Sequence, residues 1–294
     1  MTARTTNTAG AANAFSIGGD YPVRRLGFGA MRLPTTPGPD REGSITLARH
    51  AVELGVTLID TAHLYGWGAN EELLAEALHP YPEDLLIATK VGVTRSGPDG
   101  WAHDARPESL RRQVEQGLRR LRTEHIGLLQ LHRIDPNVPV AEQVGTLHSL
   151  QLEGKIGHIG LSEVSVAHLH EARQTAEIAS VQNRFSLLDR YHEPVLEACE
   201  AAGIAFLPWR PVAAATDSRA ASELTAVADS LGATVPQILL AWLLARSSVI
   251  LPIPGTASRA HLEENLAAAD LQLTDSHRQL LERAARSAAP TGGS

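Results

Sequence analysis

Asp60, Tyr65, Lys90 and His132 are the residues of this chain that can do chemistry together. Each stands at or just past the end of a short apolar run. VTLIDT ends near Asp60 with Tyr65 shortly after, DLLIATKV carries Lys90, and HIGLLQLH ends in His132. A lysine in such a place is buried, and an isolated buried ammonium is costly, so it needs a partner. Asp60 supplies one. A phenol beside that lysine is expected to be a stronger acid than a free tyrosine, whose pKa is about 10. It can pass a proton to a developing alkoxide. His132 can donate a second hydrogen bond to the same oxygen. This set suits the reduction of a carbonyl group. No side chain donates hydride, so a nicotinamide cofactor is implied. Each residue alone has a plainer reading: a strand-end cap for Asp60, packing for Tyr65, an ion-pair member for Lys90, a core histidine for His132. Their convergence is the argument.

Convergence requires elements that bring the run ends together. FSIGG followed by DYPV predicts a hairpin turning at Gly18 and Gly19. Then strands and helices alternate: LGFGA, VTLIDT, DLLIATKV, HIGLLQLH, KIGHIGLS, SVQNRF, GIAFLPW and SVILPIPG read as eight strands. Helices are expected around Ile45, Ala48 and Val52, after Asn70, from Pro107 with an apolar stripe at Leu110, Val114, Leu118 and Leu121, and over Val140–Leu152, Val166–Ala179, Pro194–Ala202, Ala220–Leu231, Pro236–Ala245, Ser258–Ala268 and Ser276–Arg286. Thr234 and Gln237 form a capping-box pair. SGPDGW falls in an expected long loop. Eight such units in 294 residues predict a (β/α)8 TIM barrel with a short N-terminal β-hairpin and extra C-terminal helices. It is read as a single domain over 1–294, with 1–14 and 288–294 unstructured. An open doubly wound sheet is the runner-up. LGFGAM lacks the third glycine of GxGxxG and no helix follows at once, so that dinucleotide fingerprint is rejected.

Composition excludes other classes. Lys and Arg number 26 against 33 Asp and Glu, a formal charge of −7, which argues against nucleic-acid and anionic-membrane partners. One cysteine, Cys199, permits no internal disulfide and reads as a small core residue. No metal site is expected: His168 and His170 are two apart and do not share a helix face. The start has no apolar run and the longest later one stops at Arg246, so a cytoplasmic protein is expected.

LIDTAHLYG, ATK, LLQLHRID, GKIGHIGLSE, VQNRFS, LPW and LPIPGTASRAHLEENL resemble the aldo-keto reductases over Leu26 to about Leu273. The resemblance implies Tyr65 as general acid, Lys90 and Asp60 as its tuning pair, and His132 as the group orienting the carbonyl. It implies Ser162 and Gln182 at the nicotinamide carboxamide and Trp209 stacked on the ring. Glu163, the cofactor-site residue beside Ser162, either accepts from the carboxamide nitrogen or points elsewhere. It places Gly255 and Thr256 at the adenosine phosphate, with Glu264 and Asn265 at the adenine. NADPH is the implied cofactor, with NADH as the alternative, and a monomer is expected.

Three departures stand out. Glu163 occupies a place where the family usually has Asn. Gly255 and His261 stand where many members have Lys and Arg, so Arg259 is the expected substitute at the 2′-phosphate. The segment after Trp209 is short, so no long loop is expected over the cofactor. Met31, Trp67 and Trp101, with Arg210 beside them, are the candidate walls for a small-molecule carbonyl substrate. HLEENLAA and LAWLLARS resemble bacterial pyridoxal and general-aldehyde reductases. The competing readings are a nicotinamide-binding regulatory module and a barrel hydrolase using Asp60 with Glu163.

Overall fold

The computed structural model describes residues 14–97, 100–212 and 218–288. The chain opens with β1 (Ala14–Ile17) and β2 (Tyr21–Arg24), antiparallel, with Gly18 and Gly19 at φ 62° and 89° in the turn. Glycine enters that left-handed region without the usual Cβ penalty. Ile17 and Val23 are buried together with Leu58, Leu86 and Leu128. The hairpin thereby covers the end of the sheet where those strands begin.

β3 (Phe28–Gly29), α1 (Pro39–Glu53), β4 (Leu58–Asp60), α2 (Ala69–Leu78) and β5 (Leu86–Val91) follow. An antiparallel pair, β6 (Val93–Arg95) and β7 (Trp101–His103), comes next. Then come α3 (Pro107–Leu121), β8 (Ile126–Leu131), α4 (Val140–Leu152), β9 (Ile156–Ser162), α5 (Val166–Ala172), β10 (Ile178–Gln182), α6 (Glu193–Ala202) and β11 (Ala205–Phe206). The chain ends with α7 (Ser218–Leu231), α8 (Val235–Arg246), α9 (Arg259–Ala267) and α10 (Asp275–Ala288). Among the described residues, seven parallel strands form one sheet in the order β3-β4-β5-β8-β9-β10-β11. Every residue of β5 and β10 is buried, as expected for strands covered on both faces. The stripe Leu110, Val114, Leu118 and Leu121 buries α3 as its spacing predicts.

The expected eighth strand is present in part. Residues 249–254 touch both edges of the sheet. Phe206 N donates to Val249 O and Leu251 N to Phe206 O, each at 2.8 Å; Gly27 N donates to Pro252 O at 2.9 Å and Gly29 N to Pro254 O at 3.1 Å. Pro252 and Pro254 have no N–H to return, so the ladder stays too sparse to make a strand. The expected long loop holding SGPDGW is flanked by the paired strands β6 and β7, in which β-branched Val93 and Thr94 pair with His103 and Ala102 and Trp101 pairs with Arg95, while residues 98–99 lie outside the described residues. Two other expectations are corrected. The helix from Val166 stops at Ala172, because the chain must turn before β10 begins at Ile178. Ala14 and Ala288 lie in a strand and a helix, while 1–13 and 289–294 lie outside the described residues. So do 213–217, in the segment expected to be short. The Thr234–Gln237 capping box opens α8, and Cys199 is buried.

Candidate active site

The strand ends bring together Asp60, Lys90, Gln130, His132, Ser162 and Gln182. Lys90 is fully buried. Its Nζ donates to Asp60 Oδ2 at 2.6 Å, to the Thr61 carbonyl oxygen at 2.8 Å and to Tyr65 OH at 3.5 Å. Gln130 and Gln182 donate from Nε2 to the other carboxylate oxygen, Asp60 Oδ1, at 3.1 and 2.8 Å. The carboxylate is therefore held by three side chains, and breaking such a buried pair typically costs about 3–5 kcal/mol. Gly160 makes this possible. A Cβ there would lie 2.2 Å from Ser180 Oγ and 2.7 Å from Gln130 Cγ, so only glycine leaves room for the glutamine.

Burial works against the Lys90 ammonium, but Asp60 and Tyr65 outweigh it and raise its pKa. Tyr65 departs from the expectation. Burial raises its pKa, and the opposing pull of Lys90 only partly offsets that, so the phenol is a weaker acid than a free tyrosine. The lysine has the expected sign but does not win. Burial, helped by Lys90 and Arg133, holds the His132 pKa well below 6.5. The ring is neutral at physiological pH. It lies edge-on to Tyr65 with centroids 6.2 Å apart, and its Nδ1 is buried without a hydrogen-bond partner.

Tyr65 opens a loop with an unusual backbone. Gly66, Trp67 and Gly68 all have positive φ, at 59°, 55° and 99°. A tryptophan in this region is strained, and such strain persists only where surrounding contacts fix it. Its ring packs edge-on to His63 at 6.0 Å and under the Arg95 guanidinium at 5.0 Å. Trp67 is thus absent from the cavity wall, contrary to the expectation that it faces substrate. Behind the loop, Arg120 Nη1 bonds His63 Nδ1 at 2.8 Å and Glu71 Oε2 at 3.3 Å, and Thr89 Oγ1 donates to Glu71 Oε1 at 2.6 Å. Burial, with Arg120 and Arg112, lowers the His63 pKa to about 4, so it accepts from Arg120 as a neutral ring.

A cavity of about 610 Å3 opens over these strand ends. Tyr65, His132, Ser162, Gln182, Trp209 and Gly255 line it, as do Met31, Trp101 and Arg210. Gly29 and Gly255 form a narrow floor. A Cβ on Gly255 would sit 2.8 Å from Gly29 O, and one on Gly29 would sit 2.7 Å from Ile253 O. That close approach explains why no lysine stands at Gly255. Gln182 commits its amide nitrogen to Asp60, which leaves its Oε1 as the group for a ligand.

Of the two alternatives for Glu163, the structure has it pointing elsewhere. Its backbone is left-handed, at φ 56°, a region that Asn enters more readily than Glu. Its Oε1 accepts from Trp209 Nε1 at 2.5 Å and from Arg184 N at 2.8 Å, and His192 Nε2 lies 3.8 Å from Oε2. Burial alone would raise its pKa. The His192 and Trp209 contacts with the Arg184 amide outweigh it and bring the value to about 2. Glu163 is not on the cavity wall. It fixes the indole of Trp209 instead.

The expected phosphate and adenine residues lie before α9 and along it. Thr256 is buried and its Oγ1 accepts from Ser258 N at 3.0 Å. Ser258 caps α9. Arg259 is exposed and donates to Glu263 at 2.9 Å on its own helix. Thr234 Oγ1 donates to the Glu264 carboxylate, and Asn265 is buried. None of Thr256, Arg259, Glu264 and Asn265 lines the cavity.

A profile of the aldo/keto reductase family matches residues 25–286. The chain belongs to this family. Among aldo/keto reductases and their kin, it is 46% identical over 261 residues to an uncharacterized oxidoreductase of Schizosaccharomyces pombe, covering 87% of this chain and 85% of the relative. It is 40% identical over 273 residues to pyridoxine 4-dehydrogenase of Escherichia coli, covering 90% and 95%. An aldo-keto reductase of Klebsiella pneumoniae solved with NADPH superposes with a TM-score of 0.81 at 26% identity, covering 92% and 94%. Among the described residues no three His, Cys, Asp or Glu side chains gather to hold a metal. Among them, too, no single helix is long and apolar enough to cross a membrane.

Among the site residues that escaped the sequence reading are Gln130, Arg133 and Arg184. Gln130 could have been found, because it lies two residues before His132 on a strand, and side chains two apart share a face. Arg133 follows His132 directly and lines the cavity. Arg184 lines it too, with its Nε 2.6 Å from Asp189 Oδ2. Sequence spacing carries no signal for these two.

Proposed function

We propose that this reductase converts an aldehyde or ketone to the alcohol with NADPH, with Tyr65 as the general acid. The observation that carries the reading is the Asp60–Lys90–Tyr65 chain of contacts opening into the cavity. The fit of the cofactor rests on the glycine floor at Gly29 and Gly255, the fixed Trp209 ring, and Ser162 and Gln182 on the same wall. Trp209 would take the nicotinamide ring, Ser162 and the Gln182 Oε1 its carboxamide. Thr256, Arg259, Glu264 and Asn265 would hold the adenosine end. The bound cofactor supplies the hydride, which no side chain can.

Tyr65 holds its proton firmly, because burial raises its pKa. It therefore remains a donor at neutral pH and gives up the proton only as negative charge develops on the carbonyl oxygen. Lys90 then stabilises the phenolate formed. Asp60, gripped by two glutamines, keeps Lys90 charged and in place. His132 is cheapest as the Nε2–H tautomer, because a buried Nδ1–H without an acceptor would cost more than a lone pair there. That tautomer donates to the same carbonyl oxygen. The 40% identity to pyridoxine 4-dehydrogenase makes pyridoxal a candidate substrate. The residues 249–254 that bridge the two sheet edges support a closed barrel in one domain.

The test is absorbance decay of NADPH, and of NADH beside it, with 4-nitrobenzaldehyde and with pyridoxal. Decay that requires the aldehyde supports the reading. Cofactor binding without decay for any aldehyde would point to the regulatory module instead.

A further inference from the structure

The charges around the cavity do not balance. Arg32, Arg133, Arg184 and Arg210 line it, against Asp60 and Asp189. Lys90 takes Asp60, and Arg184 takes Asp189 at 2.6 Å. Three arginines are left without an ion pair among the described residues. Arg32 and Arg210 are exposed, where water can neutralise them. Arg133 is only half-exposed, and it adjoins His132. Its two hydrogen bonds both leave from Nη1, to the His132 carbonyl oxygen at 2.5 Å and to Ser162 Oγ at 3.2 Å. Both acceptors are neutral. The guanidinium carbon stands 5.9 Å from the centroid of the Trp101 ring, which is also on the cavity wall.

The nearby anion Glu163 favours this cation through space but makes no ion pair with it, its carboxylate being engaged by Trp209, Arg184 N and His192. A partly desolvated cation without a direct ion pair is unfavourable unless a ligand completes it. The guanidinium fork suits a carboxylate or another anionic oxygen, which it can hold with two parallel bonds. The neighbouring indole offers a flat apolar face to an aromatic ring. We propose that Arg133 and Trp101 form a specificity subsite for aromatic aldehydes that carry an anionic oxygen, a carboxylate or a phenolate, on the ring. The inference rests on the carbonyl-reductase reading of the same cavity. It adds the class of substrate: planar, aromatic and negatively charged away from the carbonyl. The aldehyde faces Tyr65 and His132, and the anionic oxygen faces the free edge of Arg133.

The experiment compares kcat/KM for 3- and 4-carboxybenzaldehyde with their methyl esters, which keep the ring and lose the charge. The wild type should favour one acid over its ester at least tenfold, mainly through KM. R133M should bring that ratio to about one. R133K should keep part of it, because lysine retains the charge without the fork. Added salt should shrink the preference in the wild type. A ratio near one in the wild type, or an unchanged ratio in R133M, overturns the proposal. If R133M does not fold by circular dichroism, R133K and the salt series decide alone: a salt-independent preference that R133K keeps in full overturns it. Tryptophan fluorescence titration of the same acids and esters with NADP+ present reads the subsite without turnover. Tighter binding of an acid, lost in R133M, supports the subsite even if no aldehyde is reduced, in which case only the reductase reading fails. Equal binding of acid and ester overturns the subsite while leaving any observed reduction intact.

Discussion

Replacing Glu163 by glutamine removes one charge and leaves the shape nearly unchanged. The carboxylate ties Trp209 Nε1, Arg184 N and His192 into one cluster. Its pKa falls from the usual 4.5 to about 2 in the folded protein. At 1.36 kcal/mol per pH unit, that interval corresponds to ~3 kcal/mol favouring the charged form. The side chain is 22% exposed, and solvent screening lowers the figure to ~2 kcal/mol. Because the folded pKa is depressed, this stability is fully present above about pH 4.5. It is lost as pH falls through about 2. Urea denaturation of both proteins should therefore show E163Q less stable by ~2 kcal/mol at pH 7, with the gap narrowing only below about pH 4.5. NADPH binding, followed by its fluorescence, should weaken several-fold as the Trp209 ring loosens. Equal stability at pH 7, or a gap that already closes above pH 5, would refute the reasoning.

The G160A substitution should cost ~1–3 kcal/mol, because the new Cβ must displace Ser180 or Gln130. It should also lower kcat by removing one of the two glutamine hydrogen bonds to Asp60 Oδ1, and unchanged thermal unfolding would count against the packing argument. R259A should weaken NADPH more than NADH in a fluorescence titration; equal weakening would return Arg259 to its surface pair with Glu263. The kcat/KM for reduction should stay flat from pH 6 to 8, because His132 is neutral there and Tyr65 still protonated. An inflection near pH 6.5 would contradict that assignment of His132.

Much of the site was legible because strand ends in a parallel sheet face one another. The spacing of apolar runs was enough to bring Asp60, Tyr65, Lys90 and His132 together. What stayed hidden depends on backbone sign and direction. Trp67 left the cavity because its left-handed backbone turns the ring to His63 and Arg95, though Gly66 and Gly68 on either side were a hint. Glu163 looked like a ligand contact by position, and its carboxylate instead reaches an indole that lies 46 residues later in the chain. The segment SVILPIPG looked like a strand by hydrophobicity alone, while its two prolines already showed that at Pro252 and Pro254 it could accept from a neighbour but not donate. The Tyr65 phenol was misjudged because charge was weighed without burial. Arg133 had no pattern to announce it, since its meaning comes from the lack of a direct ion pair.

The central claim is that Tyr65 delivers the proton while the rest of the cavity holds the cofactor. The Y65F variant separates the two roles. Single-turnover NADPH oxidation with 4-nitrobenzaldehyde should slow by about 10²–10⁴, while the NADPH dissociation constant from fluorescence stays within about two-fold of wild type. Retention of wild-type single-turnover rates in Y65F would contradict the account.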